Sequence, residues 1–257
     1  MTSPRSTPRR ANASHRANTP YRINARGTNC WIYVPDEEYE RAASEEIAAS
    51  RGAWKPCFLI DPGACPDEII RKLEGLNLYP TRILLTHGHF DHVGALPDVA
   101  SYYEAQGDQA APTIAVHQAD ALYLGKDSRA AHRLCWSAAG GNTAYIEARW
   151  KPMPDPALLL QDGDRAGSLR ALHVPGHTPG SVAFFDEEAR ILFSGDCLFK
   201  NAIGRMDLPG GDARLTRDSL NRLFALGDDI TVYPGHGGTT IMGAERRFHG
   251  EAFSGGL

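Results

Sequence analysis

The sequence lacks the features that mark several common classes of protein. No apolar run approaches the roughly 20 residues that a membrane-spanning helix needs, and no apolar segment of a signal peptide follows the early arginines. The five cysteines are odd in number and show no C-x-x-C spacing, which disfavours a disulfide framework. The net charge of −4 gives no overall footprint for nucleic acid. We therefore expect a soluble, cytoplasmic protein that binds neither nucleic acid nor a membrane.

Acidic residues are missing from the first 35 residues, which contain six arginines and leave the rest of the chain at −10. The beginning of this stretch is rich in Ser, Thr, Pro, Asn and Arg and has almost no apolar residue. Such a composition cannot form a core. We expect residues 1–20 to form a disordered basic tail and residues 21–257 to form one folded domain. A binding protein tethered to RNA or a membrane by this tail is an alternative, and it predicts that chemical motifs elsewhere have decayed.

The rest of the chain alternates between short apolar runs and segments of helical composition, which is typical of an α/β protein. The expected strands cover residues 28–34, 57–60, 83–85, 113–116, 169–174, 181–185, 191–193 and 228–233. The expected helices cover residues 36–50, 66–76, 95–104 and 212–226. We expect strands 181–185 and 191–193 to pair antiparallel, and helix 36–50 to be a surface insertion.

One stretch, THGHFDH at residues 86–92, places three imidazoles and a carboxylate directly after an apolar strand. The candidate ligands are His87, His89, Asp91 and His92. Borderline divalent metals prefer such nitrogen and oxygen ligands. The stretch predicts a metal site at the end of that strand.

Three further glycine-rich loops carry a ligand-type residue after an apolar strand. They are PGHTPG at 175–180, SGD at 194–196 and PGHG at 234–237, with His177, Asp196 and His236 as candidate ligands. Strand ends of an α/β protein gather at one edge of the sheet, where sites are built. The four loops therefore predict one shared site.

These motifs resemble the metallo-β-lactamase superfamily and, within it, the glyoxalase II (hydroxyacylglutathione hydrolase)-like branch. The HxHxDH pattern falls on residues 87–92, and further similar runs are LIDPG at 59–63, HTPGS at 177–181, SGDCLF at 194–199 and GRMDLPGGD at 204–212. The similarity covers about residues 28–247. It implies an αββα four-layer sandwich.

The resemblance also implies a ligand set for two divalent metal ions. It assigns one ion to His87, His89 and His177 and the other to Asp91, His92 and His236, with Asp196 bridging the two. Zinc is the expected metal, and iron and manganese suit the same ligands. In the implied reaction, a hydroxide held by both metals attacks a thioester, with Asp91 and Asp196 as catalytic carboxylates. The implied substrate is S-D-lactoylglutathione or a related hydroxyacyl thioester, and the expected assembly is a monomer or homodimer.

Other residues are candidates for supporting the site or contacting substrate. Asp61 and His173 lie near ligand motifs in the sequence, and Arg205 and Asp207 follow the loop that carries Asp196. Classical glyoxalase II enzymes supply basic residues for glutathione from a helical C-terminal domain, whereas this chain resembles the shorter, single-domain members. We therefore expect segment 118–160 to shape the pocket. Its candidates for a carboxylate-bearing substrate are Tyr145, Arg149, Trp150 and Lys151.

Three other activities share the implied fold. A persulfide dioxygenase uses one iron held by the equivalents of His87, His177 and Asp196. A lactonase would use the same hydroxide on a lactone. A β-lactamase fits less well, because its best-known class has a cysteine where Asp196 stands.

Overall fold

The computed structural model describes residues 19–35, 41–107 and 111–254 of the chain. The tail expected at the N-terminus lies, up to residue 18, outside the described residues, as does the start of the helix expected at 36–50. No helix in the described part of the chain is both long and apolar enough to cross a bilayer.

The first sheet contains six strands whose spatial order is their order in the chain. They are β1 (Tyr21–Ala25), β2 (Thr28–Tyr33), β3 (Lys55–Ile60), β4 (Leu78–Leu84), β5 (Thr113–His117) and β6 (Leu158–Leu160). The first three pair antiparallel, and β3 to β6 pair parallel. The parallel half therefore ends, at its carboxyl edge, in the loops after β3, β4 and β5.

The remaining strands form a second sheet and a short ribbon. They are β7 (Arg165–Ala166), β8 (Leu169–His173), β9 (Val182–Asp186), β10 (Ile191–Gly195), β11 (Leu198–Phe199), β12 (Ala202–Ile203), β13 (Thr231–Pro234) and β14 (Thr240–Ile241). The second sheet has the order β14-β13-β10-β9-β8-β7, and β11 pairs with β12. Strands β9 and β10 pair antiparallel, which confirms the expected hairpin.

Helices cover the outer faces of both sheets. They are α1 (Arg41–Arg51), α2 (Pro66–Gly75), α3 (Phe90–Val93), α4 (Leu96–Glu104), α5 (Arg129–Ala138), α6 (Ala144–Arg149), α7 (Ala213–Phe224) and α8 (Met242–Ser254), with a 3₁₀ helix at Gln118–Tyr123. Helix α7 begins where expected, because the Asp212 side chain accepts a hydrogen bond from the Leu215 backbone N–H at 2.9 Å.

The core has three layers, as the alternation of strand side chains requires. On β2, Trp31 and Tyr33 face the second sheet and join the core between the sheets. Ile32, which alternates with them, packs on the other side with residues of α2 and α4. A third cluster joins the outer face of the second sheet to α7, with Leu220 and Leu223 among its members. This arrangement confirms the αββα sandwich.

Helix α1 differs from the expected surface insertion. Its Ile47 is 1 % exposed and belongs to the core cluster on the outer face of the first sheet. The helix therefore packs against the sheet through that apolar residue. Sequence patterning also missed β1, β14 and α8, which are short or weakly amphipathic.

Candidate metal centre

Backbone hydrogen bonds bring the four glycine-rich loops to one edge of the sandwich. The Val182 N–H donates to the Thr86 carbonyl at 2.8 Å, which joins β9 to the loop after β4. The Gly235 N–H donates to the Gly195 carbonyl at 2.9 Å, and the Asn29 N–H donates to the Gly235 carbonyl at 2.7 Å. The loops of both sheets are therefore positioned by main-chain contacts.

The first group of ligand-type side chains consists of His87, His89 and His177. Their ligand atoms lie within 4.8 Å of one another, and all three side chains are buried. The His177 Nε2 and His89 Nδ1 atoms are 2.9 Å apart. These residues come from two loops, one from each sheet, so only the folded sandwich assembles them.

The second group consists of Asp91, His92 and His236, whose ligand atoms also lie within 4.8 Å of one another. The Asp196 carboxylate lies between the two groups. Its oxygens are 3.3 Å from His92 Nε2, 3.2 Å from His236 Nε2 and 3.7 Å from His177 Nε2. Asp196 thus contacts histidines of both groups, as a bridging ligand must.

The seven side chains fit divalent cations. The His87 Nε2 and Asp196 Oδ1 atoms are buried and have no hydrogen-bond partner among the described residues. Buried polar atoms normally have a partner, and both atom types are good metal ligands. The nitrogen atoms His92 Nε2 and His236 Nε2 are 3.3 Å apart. A bound cation would stabilise these nitrogen and oxygen atoms, which lie close together around one centre.

Asp61 holds ligands of both groups from outside. One oxygen accepts hydrogen bonds from the Thr86 hydroxyl at 2.6 Å and from His92 Nδ1 at 2.9 Å. The Thr86 oxygen in turn lies 3.1 Å from His87 Nδ1. This chain of contacts fixes the proton of each ring on Nδ1 and leaves Nε2 free to bind a metal.

Main-chain carbonyls orient His177 and His236 in the same way, by accepting hydrogen bonds from their Nδ1 atoms. His177 Nδ1 donates to the Arg205 carbonyl at 2.8 Å, and His236 Nδ1 donates to the Gly27 carbonyl at 3.0 Å. The Thr28 hydroxyl donates to Asp91 at 3.1 Å. The turn between β1 and β2 therefore supports the second group of ligands.

Asp120 is a supporting residue that sequence reasoning missed. It is fully buried at the start of the 3₁₀ helix after β5. Its oxygens accept hydrogen bonds from the Gly88 N–H at 2.9 Å, the Gly180 N–H at 2.7 Å and the Thr178 hydroxyl at 2.8 Å. Asp120 therefore ties the loop of His87 to the loop of His177. The sequence feature that could have identified Asp120 is its place shortly after a strand, which it shares with the ligand residues.

Close backbone approach explains two of the glycines around the centre. A Cβ on Gly63 would lie 1.6 Å from the Asp91 carbonyl oxygen, and a Cβ on Gly204 would lie 1.8 Å from the Asp196 carbonyl oxygen. Neither backbone oxygen can move without moving the ligand residue that carries it. Any larger residue at these positions would displace the site.

Burial and charge move the pKa values of the ligands in opposite directions. Burial lowers the pKa of His89 to about 3. Burial also acts to lower the pKa values of His92 and His236, but the neighbouring Asp196 and Asp91 carboxylates outweigh it. The pKa of His92 is raised well above its ordinary value, and that of His236 to about 10. The two imidazoles thus carry protons when no metal balances the carboxylates.

A largely apolar cavity of about 670 Å³ opens beside the ligands. Its apolar wall comes from helix α5, the β11–β12 ribbon and neighbouring loops. The wall side chains are Phe90, Cys135, Trp136, Ala139, Phe199, Ala202, Ile203 and Leu208. Arg26 and Arg205 supply positive charge. Segment 118–160 shapes this cavity, through α5.

The remaining candidate residues occupy varied positions. Arg205 lines the cavity, and its guanidinium is paired with the exposed Asp207 at 2.7 and 2.8 Å. His173 lies away from the ligands. It stacks on His117, with ring centroids 4.1 Å apart, and its Nε2 contacts the Pro179 carbonyl at 2.8 Å. It therefore contacts the loop that carries His177 and not the ligand itself.

The candidates for contacting a substrate carboxylate do not line this cavity. Tyr145, Arg149, Trp150 and Lys151 line a second cavity on the other side of Phe90. The Tyr145 ring stacks on Trp136 of helix α5, whose side chain lines the cavity beside the ligands. These four side chains therefore line the neighbouring cavity and not the one beside the ligands.

The cysteines play no part in the ligand set. All five are free, four are buried, and Cys197 is 4 % exposed in the core of the second sheet. Burial raises the pKa of the Cys197 thiol to about 12. A thiol in that state is neither a nucleophile nor a metal ligand at neutral pH.

The αββα fold and this ligand set together define a metallo-hydrolase. The profile of the Metallo-beta-lactamase superfamily matches residues 53–236, and the chain belongs to that superfamily.

Individual relatives agree with the class. The chain is 34% identical over 194 residues to hydroxyacylglutathione hydrolase GloC of Haemophilus influenzae, covering 75% of this chain and 85% of the relative. It is also 34% identical over 194 residues to the probable metallo-hydrolase YqgX of Bacillus subtilis, covering 74% and 84%. Among solved structures, TTHA1623 in a di-iron-bound form is 31% identical, with a TM-score of 0.70 over 89% of this chain and 97% of that chain.

Proposed function

We propose that the protein is a metal-dependent hydrolase of thioesters, with S-D-lactoylglutathione or a related hydroxyacyl thioester as substrate. The observation that carries the proposal is the pair of ligand groups joined by Asp196 beside an apolar cavity. The name of the Haemophilus influenzae relative, a hydroxyacylglutathione hydrolase, supports the substrate class.

The ligand residues suit a pair of divalent cations. His87, His89 and His177 would hold one, and Asp91, His92 and His236 the other, with Asp196 between them. Bound there, two such cations lower the pKa of a coordinated water and polarise a carbonyl oxygen. This chemistry needs no nucleophilic serine or cysteine, in agreement with the buried, neutral Cys197.

The chain's own residues prepare the site for that chemistry. Asp61 and the carbonyls of Arg205 and Gly27 each hold an Nδ1 proton, so the Nε2 atoms of His92, His177 and His236 face the centre. The apolar wall of the cavity excludes water from the acyl group. The leaving group of a thioester is a thiolate, whose conjugate acid has a pKa of about 8.5. It can therefore depart without a general acid.

The second ligand group favours hydrolysis over the single-iron dioxygenase alternative. One iron would need only His87, His177 and Asp196. The second group is also held in place by surrounding residues, because Asp61 accepts a hydrogen bond from Nδ1 of the buried His92. The described residues thus offer ligands for a second metal ion, which the proposed hydrolysis uses and a single-iron reaction does not need.

A substrate panel with metal analysis tests the proposal. The protein, loaded with Zn²⁺, Fe²⁺ or Mn²⁺, is assayed with S-D-lactoylglutathione, a simple lactone and a β-lactam. We expect thioester hydrolysis with the highest kcat/KM, lost on chelation and restored by metal. Preference for the lactone or the β-lactam would contradict the proposed substrate, and oxygen consumption with a persulfide would contradict hydrolysis.

A further inference from the structure

A second cavity of about 410 Å³ adjoins the cavity at the metal centre. The two cavities share Arg26 and Phe90 in their walls. A molecule whose reactive bond lies at the ligands can therefore extend past these two side chains into the second cavity. The loop after β3, the start of α4 and the end of α6 form the rest of its wall.

Positive charge predominates in the second cavity. Arg26, Arg149 and Lys151 line it together with a single carboxylate, that of Asp98. Lys151 Nζ lies 2.5 Å from Asp98 Oδ1, so these two charges offset each other. Arg26 and Arg149 have no carboxylate partner in the part of the chain that the structure describes. Two guanidinium groups are thus left to bind an anion.

Arg149 is held in a fixed orientation. Its guanidinium carbon lies 4.1 Å from the centre of the Tyr145 ring. That ring is itself stacked on Trp136, with centroids 4.8 Å apart and planes 10° apart. Stacking covers the face of a guanidinium but leaves its N–H edge free for a bidentate acceptor. Such an edge matches a carboxylate.

Arg26 is tied to the metal centre through the backbone. It lies in the turn between β1 and β2 with a φ of 57°. The carbonyl of the next residue, Gly27, accepts the hydrogen bond from His236 Nδ1 at 3.0 Å, and its N–H donates to Asn24 Oδ1 at 2.8 Å. The turn is therefore fixed relative to a ligand histidine, with the Arg26 side chain between the two cavities.

We propose that the second cavity binds a carboxylate end of the substrate, through Arg26 and Arg149, while the thioester lies at the metal centre. This inference rests on the proposed function. A carboxylate that bound the metal ions would displace the thioester from them, so the anionic end of a substrate needs a separate site of positive charge. The carboxylate belongs either to the acyl group or to the thiol, and both have the same chemistry.

Four thioesters distinguish these two sources. Acetyl or succinyl groups are attached either to glutathione or to the uncharged thiol N-acetylcysteamine, and kcat/KM is measured for the wild type, Arg26→Gln, Arg149→Gln and the double variant. Arg165→Gln is the control, because Arg165 is exposed on β7 and lines neither cavity.

We expect each single variant to lower the preference for a carboxylate-bearing over an uncharged thioester by about tenfold, mainly through KM, as for loss of one charge-assisted contact. The wild-type preference should fall with salt, and the control should keep it. If the variants change only the preference for succinyl over acetyl thioesters, the carboxylate lies on the acyl side. If they change only the preference for thioesters of glutathione over those of N-acetylcysteamine, the carboxylate lies on the thiol side. Equal preferences in the wild type and the double variant would overturn the proposal.

A binding measurement separates this inference from the proposed function. Calorimetry with S-methylglutathione and with monomethyl succinate, on the metal-loaded protein, requires no turnover. If no thioester is hydrolysed but the double variant binds one probe about tenfold or more weakly than the wild type, the carboxylate site stands and the thioesterase proposal fails. If both proteins bind both probes equally, or neither binds either probe, the carboxylate site is refuted.

Discussion

Asp61 orients two ligand histidines although it is not a member of the ligand set itself. One carboxylate oxygen orients His92 directly and His87 through the Thr86 hydroxyl, so it supports both ligand groups. Its backbone adopts a left-handed φ of 53°, which asparagine and aspartate tolerate better than most residues. The D-P-G turn after β3 therefore places this carboxylate under the ligands.

Replacing Asp61 with asparagine should weaken metal binding without preventing folding. The amide keeps the shape and tolerates the backbone angle, but its NH₂ group opposes the Thr86 hydroxyl or the His92 Nδ1 proton. We expect the metal dissociation constant to rise by about 10- to 100-fold, measured by competition with a chelator. The control is Asp218→Asn, an exposed residue on α7. Wild-type affinity in Asp61→Asn would contradict the orienting role.

Asp196→Ala tests the bridging carboxylate. Its removal takes away the carboxylate whose oxygens lie close to the Nε2 atoms of His92, His236 and His177, in both ligand groups. We expect kcat/KM to fall by about a hundredfold or more, while the free energy of unfolding of the metal-free protein changes by only about 1 kcal/mol. Steady-state kinetics and denaturant unfolding give the two values. Near-wild-type turnover would refute the bridging role.

At the scale of elements, loops rather than strands decide where the ligands meet. Asp120 connects the loop after β4 with the loop after β8, using three donors that are buried with it. Desolvation raises the pKa of this carboxyl group, and the three hydrogen bonds oppose the shift. The 3₁₀ helix that carries Asp120 is therefore part of the scaffold of the site.

Asp120→Ala should reduce both stability and metal affinity. It leaves the N–H groups of Gly88 and Gly180 buried without their partner, at a cost of about 3 kcal/mol in the free energy of unfolding. Denaturant unfolding of the metal-free protein measures this loss, and chelator competition measures the affinity. Asp127→Ala, at an exposed position in the next loop, should change stability by less than about 0.5 kcal/mol. Equal effects in the two variants would exclude the tethering role.

The elements also show what the sequence could predict. Ligand residues such as His87 and His177 were visible because each follows a strand in a glycine-rich loop, and sequence patterning gave the central strands and helices α1, α2, α4 and α7. The burial of Ile47 was hidden, because one apolar residue in a polar helix does not change its pattern. Asp120 was hidden for another reason. Two of its three partners are backbone N–H groups distant in sequence, and backbone donors leave no signal in side-chain identity.

The position of Tyr145 and Arg149 shows that the sequence could not predict which residues line which cavity. The positive charge of Arg149 indicated a role in binding an anion, and its place in the wall of the second cavity agrees with that role. Which cavity they line depends on how α6 packs against α5, through the stack of Tyr145 on Trp136. That packing is a tertiary property, and the sequence placed both residues only within the covering segment.

For the whole molecule, metal binding and proton release are linked. In the metal-free protein burial acts to lower the pKa values of His236 and His92, but the neighbouring carboxylates outweigh it, raising the pKa of His236 to about 10 and that of His92 in the same direction. The carboxylates therefore favour the protonated form of both rings. Metal ligation requires the neutral ring. Binding must therefore release protons, and affinity must increase as pH rises toward the raised pKa values.

We expect the affinity for Zn²⁺ to rise by about tenfold per pH unit for each proton released, between pH 6 and pH 8. Chelator competition at several pH values gives the slope, and calorimetry in buffers of different ionisation enthalpy counts the protons. Correction for the chelator's own protonation serves as the control. A pH-independent affinity would contradict protonation of the ligand histidines in the metal-free protein.

The central claim is that one chain holds two metal ions and uses them to hydrolyse a thioester. The most direct test is to quantify the metals and assay S-D-lactoylglutathione hydrolysis on the same preparation, titrated with metal from zero to three equivalents. The account predicts that activity rises until two ions are bound per chain and then levels off. Saturation at one iron per chain, with oxygen consumption and sulfite formation from a persulfide, would contradict it.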